Sequence, residues 1–246
     1  MQVDTRKLRN IQRGIAGEAQ LKDVIKKDEI TKIAGFDVTF FGDKVICAAI
    51  VLDFKTLQVI ERKYTVGKVP MQYIPGYEAF REGPIILETY YSLEEEPDIL
   101  IIDGHGATHP LKAGLATYVG VELTKPCIGV AQKLMVGDIR EDKIFILEQL
   151  RGLVVKTKEH ANPLFVSAGN FISMETAAEI ISKIVVPPHK LPEPIHQAHK
   201  YAKKIAEQLK ENKELPQETT SEQGPMMEEF DLNEEVNSEE GISEGV

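Results

Sequence analysis

Apolar residues recur at helical spacing near the start of the chain, at Leu8, Ile11, Ile15, Ala16 and Leu21 with charges between them. This spacing predicts an amphipathic helix from Thr5 to about Val24. Three strand-like segments follow, 33–40, 44–53 and 58–66, and the turn signal Gly42-Asp43 makes the first two an antiparallel hairpin. Residues 76–92 read as a helix disturbed at Gly83-Pro84. The run DILII (98–102) is continuously apolar after its first residue, the pattern of a strand covered on both faces. A helix over 113–123 and a second buried strand over 127–131 come next, then strand candidates at 152–157 and 163–167. Ser173 is placed to cap a helix with Ala177, Ala178, Ile180, Ile181, Ile184 and Val185 on one face. Pro187-Pro188 stops it, and a basic helix runs from about Pro194 to Lys210. A hairpin followed by β-α-β alternation implies an α/β fold, a mixed sheet of antiparallel hairpin strands and parallel strands flanked by helices on both faces.

Charge changes this picture at one end. The 246 residues carry 29 Lys plus Arg against 39 Asp plus Glu. Ten of those acids lie between Pro216 and Val246, where there is no Lys or Arg, so residues 1–215 are balanced. The low isoelectric point therefore belongs to the tail and does not exclude a nucleic-acid partner for the body. The tail, rich in Glu, Ser, Gly, Asn and Thr, is too polar to fold, and we expect a folded domain over 1–215 with an acidic disordered tail over 216–246. Such a tail either solubilises the protein or competes with nucleic acid for its basic helices. Cys47 and Cys127 sit in apolar runs, as buried free thiols do, and the absence of C-x-x-C argues against structural zinc. The longest apolar run, Val45 to Leu52, is far shorter than the roughly 20 residues that span a bilayer. We expect a cytoplasmic protein, monomeric, with no membrane partner.

Chemistry is concentrated in carboxylates at the ends of apolar strands. Asp37 interrupts KIAGFDVTF, Asp103 ends DILIID, and Glu82 lies in FREGP on the intervening helix. A charge beside a buried strand must be hydrogen-bonded, paired or bound to a cation, because leaving it bare costs several kcal/mol. Two readings stand at this point: an ion pair between Asp37 and a core Arg or Lys, or a hard-oxygen site for Mg²⁺ with Mn²⁺ as substitute. Gly104, His105 and Gly106 follow Asp103, and His109 stands close by, either as an acid or base near neutral pH or as a solvated or capping residue. In QYIPGYEAFREGP, Tyr73, Ile74 and Pro75 form a stiff segment before a helix. It suits a wedge between stacked bases, or a staple packing on that helix. The basic residues Arg6, Lys7, Arg9, Arg13, Arg81, Lys112, Lys200, Lys203, Lys204 and Lys210 form either solvated faces or a phosphate footprint.

The segments IAGFDVTF, YIPGYEAFREGP, PDILIIDGHGATHP, GLATYVGV, PCIGVAQ, SAGNFISMETA and LPEP resemble, in order and over about residues 5–200, the endonuclease V family, nucleases of deaminated purines on a ribonuclease-H-like fold. The resemblance implies that Asp37, Glu82 and Asp103 hold Mg²⁺, with His109 beside them orienting water or assisting a second metal. It implies that Tyr73 fills the gap left when inosine is turned out of a DNA or RNA strand. Gly76 and Gly104 would offer backbone groups to the hypoxanthine edge. The reaction it implies, in repair of deaminated adenine, cuts the second phosphodiester 3′ of the lesion and leaves 3′-hydroxyl and 5′-phosphate.

Two positions depart from the pattern. The family usually reads GVAK where this chain has GVAQ, placing Gln132 at a lysine position, and it usually has a histidine where Asn170 stands. Lys133 points to the opposite face from Gln132 unless a bulge intervenes. A lost phosphate-side lysine would cost about 2 to 4 kcal/mol, roughly 10²- to 10³-fold in rate, by comparison with loss of an oxyanion donor. The alternatives are therefore an inosine-binding protein with little catalysis, or an unrelated ribonuclease-H-like nuclease such as a junction resolvase, in which YIPG has no role.

Overall fold

The computed structural model describes residues 3–211 and 215; the expected acidic tail lies outside them. In chain order the elements are α1 (Thr5–Glu18), β1 (Lys32–Phe41), β2 (Lys44–Asp53), β3 (Val59–Lys68), α2 (Glu78–Tyr91), β4 (Ile99–Asp103), α3 (Leu115–Glu122), β5 (Cys127–Ala131), β6 (Asp138–Arg140), β7 (Lys143–Ile146), β8 (Gln149–Val155), β9 (Leu164–Asn170), α4 (Met174–Lys183) and α5 (Glu193–Lys210). The strands form one mixed sheet in the order β3-β2-β1-β4-β5-β9-β8-β7-β6. β1, β4 and β5 are parallel to one another, and the other neighbours pair antiparallel.

Both faces of the central strands are covered, which is why they read as unbroken apolar runs. Ile99 and Ile101 of β4 join Ile33, Ile128, Ile181 and Ile195 in a core under α4 and α5. Leu100 and Ile102, alternating with them, join Phe36, Cys47, Ile86 and Leu115 in a second core under α2 and α3. α5 lies close on β1 because Gly35 has no side chain: a Cβ there would meet the Pro194 carbonyl and stand 2.7 Å from the Ile195 nitrogen. Cys47 and Cys127 are buried and free, and burial pushes both thiols up.

Four elements differ from the sequence expectation. α1 stops at Glu18 rather than near Val24, because the following chain turns to pair with Phe171: its N–H donates to the Gln20 carbonyl (2.7 Å), and the Val24 N–H donates to the Phe171 carbonyl (3.3 Å). α2 runs unbroken through Pro84, whose ring is exposed. β6 and β7 are additional strands, of three and four residues, too short to stand out as periodic runs. An ion pair from Arg140 to Glu148 (2.7 Å) braces that ribbon. Among the described residues no helix is long and apolar enough to cross a membrane.

Candidate active site

Parallel register brings two distant carboxylates together. Phe36 of β1 lies beside Ile102 of β4, so the next step sets Asp37 beside Asp103 at the carboxyl end of the central strands, where ligands of open α/β sheets bind. The Asp37 charge acts directly on Asp103, and Asp37 is only 6% exposed. Burial, then the Asp37 charge, pushes the Asp103 carboxyl well above its usual range. His199 of α5 closes the other side of Asp37, with its Nδ1 3.0 Å from Oδ2, and this hydrogen bond raises the imidazole's pKa. Asp37 is thus held by a histidine, not by the core Arg or Lys that sequence left open.

Glu82 reaches the pair from α2. Burial, then the Glu78 carboxylate and more weakly Asp103 and Asp37, pushes it up to about 7, with Arg81 opposing. The Arg81 guanidinium itself lies 3.9 Å above the Phe40 ring and 5.6 Å from that of Tyr73. A folded-state value near 7 against the ordinary 4.5 means that protonation favours the fold. That stabilisation is complete below about pH 4.5 and is lost as pH rises through 7. In EDTA, Glu82→Gln should raise the thermal midpoint above wild type at pH 8, and the gap should close by pH 5. A gap independent of pH would show that Glu82 is not ionising against its neighbours.

Hard oxygens of this kind suit Mg²⁺ or Mn²⁺. Among the described residues, however, no three His, Cys, Asp or Glu side chains stand together as a group able to hold a metal alone. The expected three-carboxylate cage is therefore not preassembled, for a physical reason: carboxylates repel at close range unless a cation lies between them. Mg²⁺ needs only one or two, completing its shell with water and phosphate oxygens. The Asp37–Asp103 pair fits that demand, with Glu82 in electrostatic reach of both.

Beside the carboxylates is a cavity of about 280 Å³, lined among others by Tyr73, Glu82, Asp103, Gly104, His105 and His109. This is at the small end for ligand pockets, a volume suited to one base. Tyr73 stands at it 56% exposed, its hydroxyl 3.3 Å from a Glu78 oxygen. Ile74 and Pro75 continue the turn, and Gly76 completes it at φ +82°, a conformation that a side chain resists. Two donors fix the Gly76 carbonyl: Gln12 Nε2 of α1 at 2.7 Å and His109 Nε2 at 2.9 Å. The Leu111 N–H donates to His109 Nδ1 (3.1 Å), so the ring proton sits on Nε2 and both nitrogens are committed. Burial, the main cause, lowers the pKa of this imidazole and of His105, favouring their neutral forms. With its nitrogens so engaged, His109 holds the turn beside the cavity in the ligand-free fold. The Gly76 N–H donates to Glu78 (3.1 Å) and that of Gly104 to the Val130 carbonyl (2.9 Å), so both amides already have partners.

The two departures from the family pattern separate in space. Asn170 is buried in the scaffold, accepting from the Gln20 N–H (3.0 Å) and donating to the Gly120 carbonyl (2.9 Å). It ends β9, which runs antiparallel to β5, and so lies beside Cys127 at the strand end opposite the carboxylates. Gln132 is at the site end, just past β5, and its Oε1 lies 3.5 Å from Lys190 Nζ. Lys133 lines the cavity instead. Gln12, His199 and Lys190 are site residues that sequence reasoning missed. Of these His199 left a signal: it lies on the apolar stripe of Ile195, Ala198, Ala202 and Ile205.

A model of the Endonuclease V family matches residues 13–200. The chain is 42% identical over 192 residues to Endonuclease V of Dictyoglomus thermophilum, covering 74% of this chain and 84% of that one. It is 33% identical over 214 residues to Endonuclease V of Archaeoglobus fulgidus, covering 85% and 96%. The crystal structure of Endonuclease V from Bacillus subtilis matches with a TM-score of 0.79 at 27% identity, over 86% of this chain and 95% of that one. The same fold, at 23% identity and a TM-score of 0.77 over 85% of this chain and 100% of that one, is seen in Ciona intestinalis Endonuclease V in complex with a 23mer DNA containing an inosine followed by a ribo-adenosine. The chain belongs to the endonuclease V family and is an endonuclease.

Proposed function

We propose that this endonuclease is Mg²⁺-dependent, turns inosine out of a DNA or RNA strand, and hydrolyses the second phosphodiester on its 3′ side to leave 3′-hydroxyl and 5′-phosphate. The observation that carries this reading is the juxtaposition of the Asp37–Asp103 pair and Glu82 with a base-sized cavity that bears an exposed tyrosine. A bound Mg²⁺, held by Asp37 and Asp103 with Glu82 as third partner, would polarise the scissile phosphate and lower the pKa of the attacking water. Tyr73 takes the stacking place of the extruded base, whose unstacking costs a few kcal/mol and less when it is mispaired. The turn held by Gln12 and His109 fixes the cavity wall at Gly76, and a base-edge acceptor reaches the Gly76 N–H by displacing Glu78. His199 orients Asp37.

The test is cleavage of an end-labelled strand with one inosine, in DNA and RNA versions, beside strands with guanine or adenine at that position. A single product from the inosine strand, formed with Mg²⁺ and absent in EDTA, is expected. Equal cutting of the control strands, or cutting that persists in EDTA, would overturn the reading.

A further inference from the structure

The carboxylate site is strongly anionic, and its expected substrate is a phosphodiester, itself an anion. Some fixed cation must offset that repulsion beyond what a divalent ion neutralises, and the structure offers one from an unrelated part of the chain. Lys190 lies in the connection between α4 and α5. Its stem is anchored: the Thr157 hydroxyl donates to its carbonyl at 2.6 Å, and Leu191 packs against the core under α5. Its ammonium is directed to the carboxyl ends of the parallel strands, 3.5 Å from Gln132 Oε1. Gln132 follows β5, whose Val130 is in register with Asp103, and the Lys190 charge acts at Asp103, opposing the upward push on that carboxyl.

Two further observations show that this charge is not committed elsewhere. Among the described residues Lys190 has no carboxylate within ion-pair distance, whereas Lys26, Lys32, Lys63 and Lys125 each have one. Its neutral partner holds it at the outer limit of a hydrogen bond. An anchored ammonium, uncommitted to a carboxylate and weakly held beside a pair of acidic groups, is the arrangement expected of a side chain that turns onto an incoming anion.

We infer that Lys190 is the phosphate-binding cation of this active site, with Gln132 as the amide that parks it between substrates. This rests on the proposed nuclease reading and deepens it. Lys190 contacts the phosphate next to the one held at Asp37 and Asp103, or that phosphate itself. Either contact places a positive charge where negative charge develops in the transition state.

The test uses the full chain and the inosine strand, with Lys190→Ala, Lys190→Arg, the double variant Lys190→Ala/Gln132→Lys, and Lys26→Ala as a distant charge control. Two quantities are read: kcat/KM with Mg²⁺, and the salt dependence of strand binding with Ca²⁺ in place of Mg²⁺. Lys190→Ala should lower kcat/KM about 10²-fold and flatten the slope of log Kd against log salt by about 0.7 to 0.9, the loss of one phosphate contact. Lys190→Arg should keep the slope. The double variant should recover both, since the new ammonium stands within one hydrogen-bond length of the old one. Lys26→Ala should cut as wild type. A Lys190→Ala protein that cuts and binds as wild type overturns the inference, as does one that loses activity with its salt slope intact, because a merely structural contact leaves that slope unmoved. A wild-type protein that ignores inosine sinks the nuclease reading itself, and is seen before any variant is made.

Discussion

Asp37→Asn should reduce cutting of the inosine strand by about 10³-fold while leaving the protein at least as stable as wild type in EDTA. The first half follows from the role assigned to the side chain. A divalent ion stabilises the developing charge of the reaction by several kcal/mol, and about 4 kcal/mol is about a thousandfold in rate. The second half follows from electrostatics. Asp37 is 6% exposed and its charge pushes up the carboxyls of both Asp103 and Glu82, so an uncharged side chain of equal size relieves repulsion in the metal-free fold. Mg²⁺, which stabilises a folded state that binds it, should raise the thermal midpoint of wild type and not of the variant. Loss of cutting accompanied by loss of fold would make Asp37 a structural residue. Cutting within tenfold of wild type would remove it from the site.

Gly35→Ala should lower stability strongly. The added methyl meets main-chain atoms at Pro194 and Ile195 rather than the tip of a flexible side chain. Overpacking of this kind costs about 1 to 3 kcal/mol and occasionally more; we take about 3 kcal/mol, a fall of about 6 to 12 °C in Tm for a protein of this size. Backing α5 away from β1 also withdraws His199 from Asp37, so cutting should fall further than the remaining folded fraction explains. A Tm within 2 °C of wild type would show that α5 does not depend on this close approach.

The parts of the molecule legible in sequence were those written in local pattern. Asp37 and Asp103 stood out because each breaks or ends an apolar run, and the two-faced burial of β4 was visible in DILIID. What escaped was set by chain-distant geometry. The His199–Asp37 contact joins residues 162 positions apart, that of Gln12 with Gly76 spans 64 and that of Lys190 with Gln132 spans 58, and no local periodicity encodes such pairs. His109 was visible as a loop histidine, but its second nitrogen's commitment to Leu111 depends on backbone placement. Asn170, a departure from the family pattern, makes scaffold contacts at the strand end away from the carboxylates. Gln132 has the Lys190 ammonium 3.5 Å from its Oε1. α1 was overextended because its apolar spacing continues to Leu21 after the backbone has turned toward Phe171.

The hydrogen bond from Gln12 to the Gly76 carbonyl ties the amino-terminal helix to the turn beside the cavity. On the proposed function, recognition of the base and hydrolysis of the strand fall to different stretches of polypeptide: the sheet ends carry the acids, and the α1 segment steadies the turn beside the cavity. Evolution or a protein engineer altering that opening segment would adjust which damaged nucleobases are tolerated, while the scissile chemistry stayed in place.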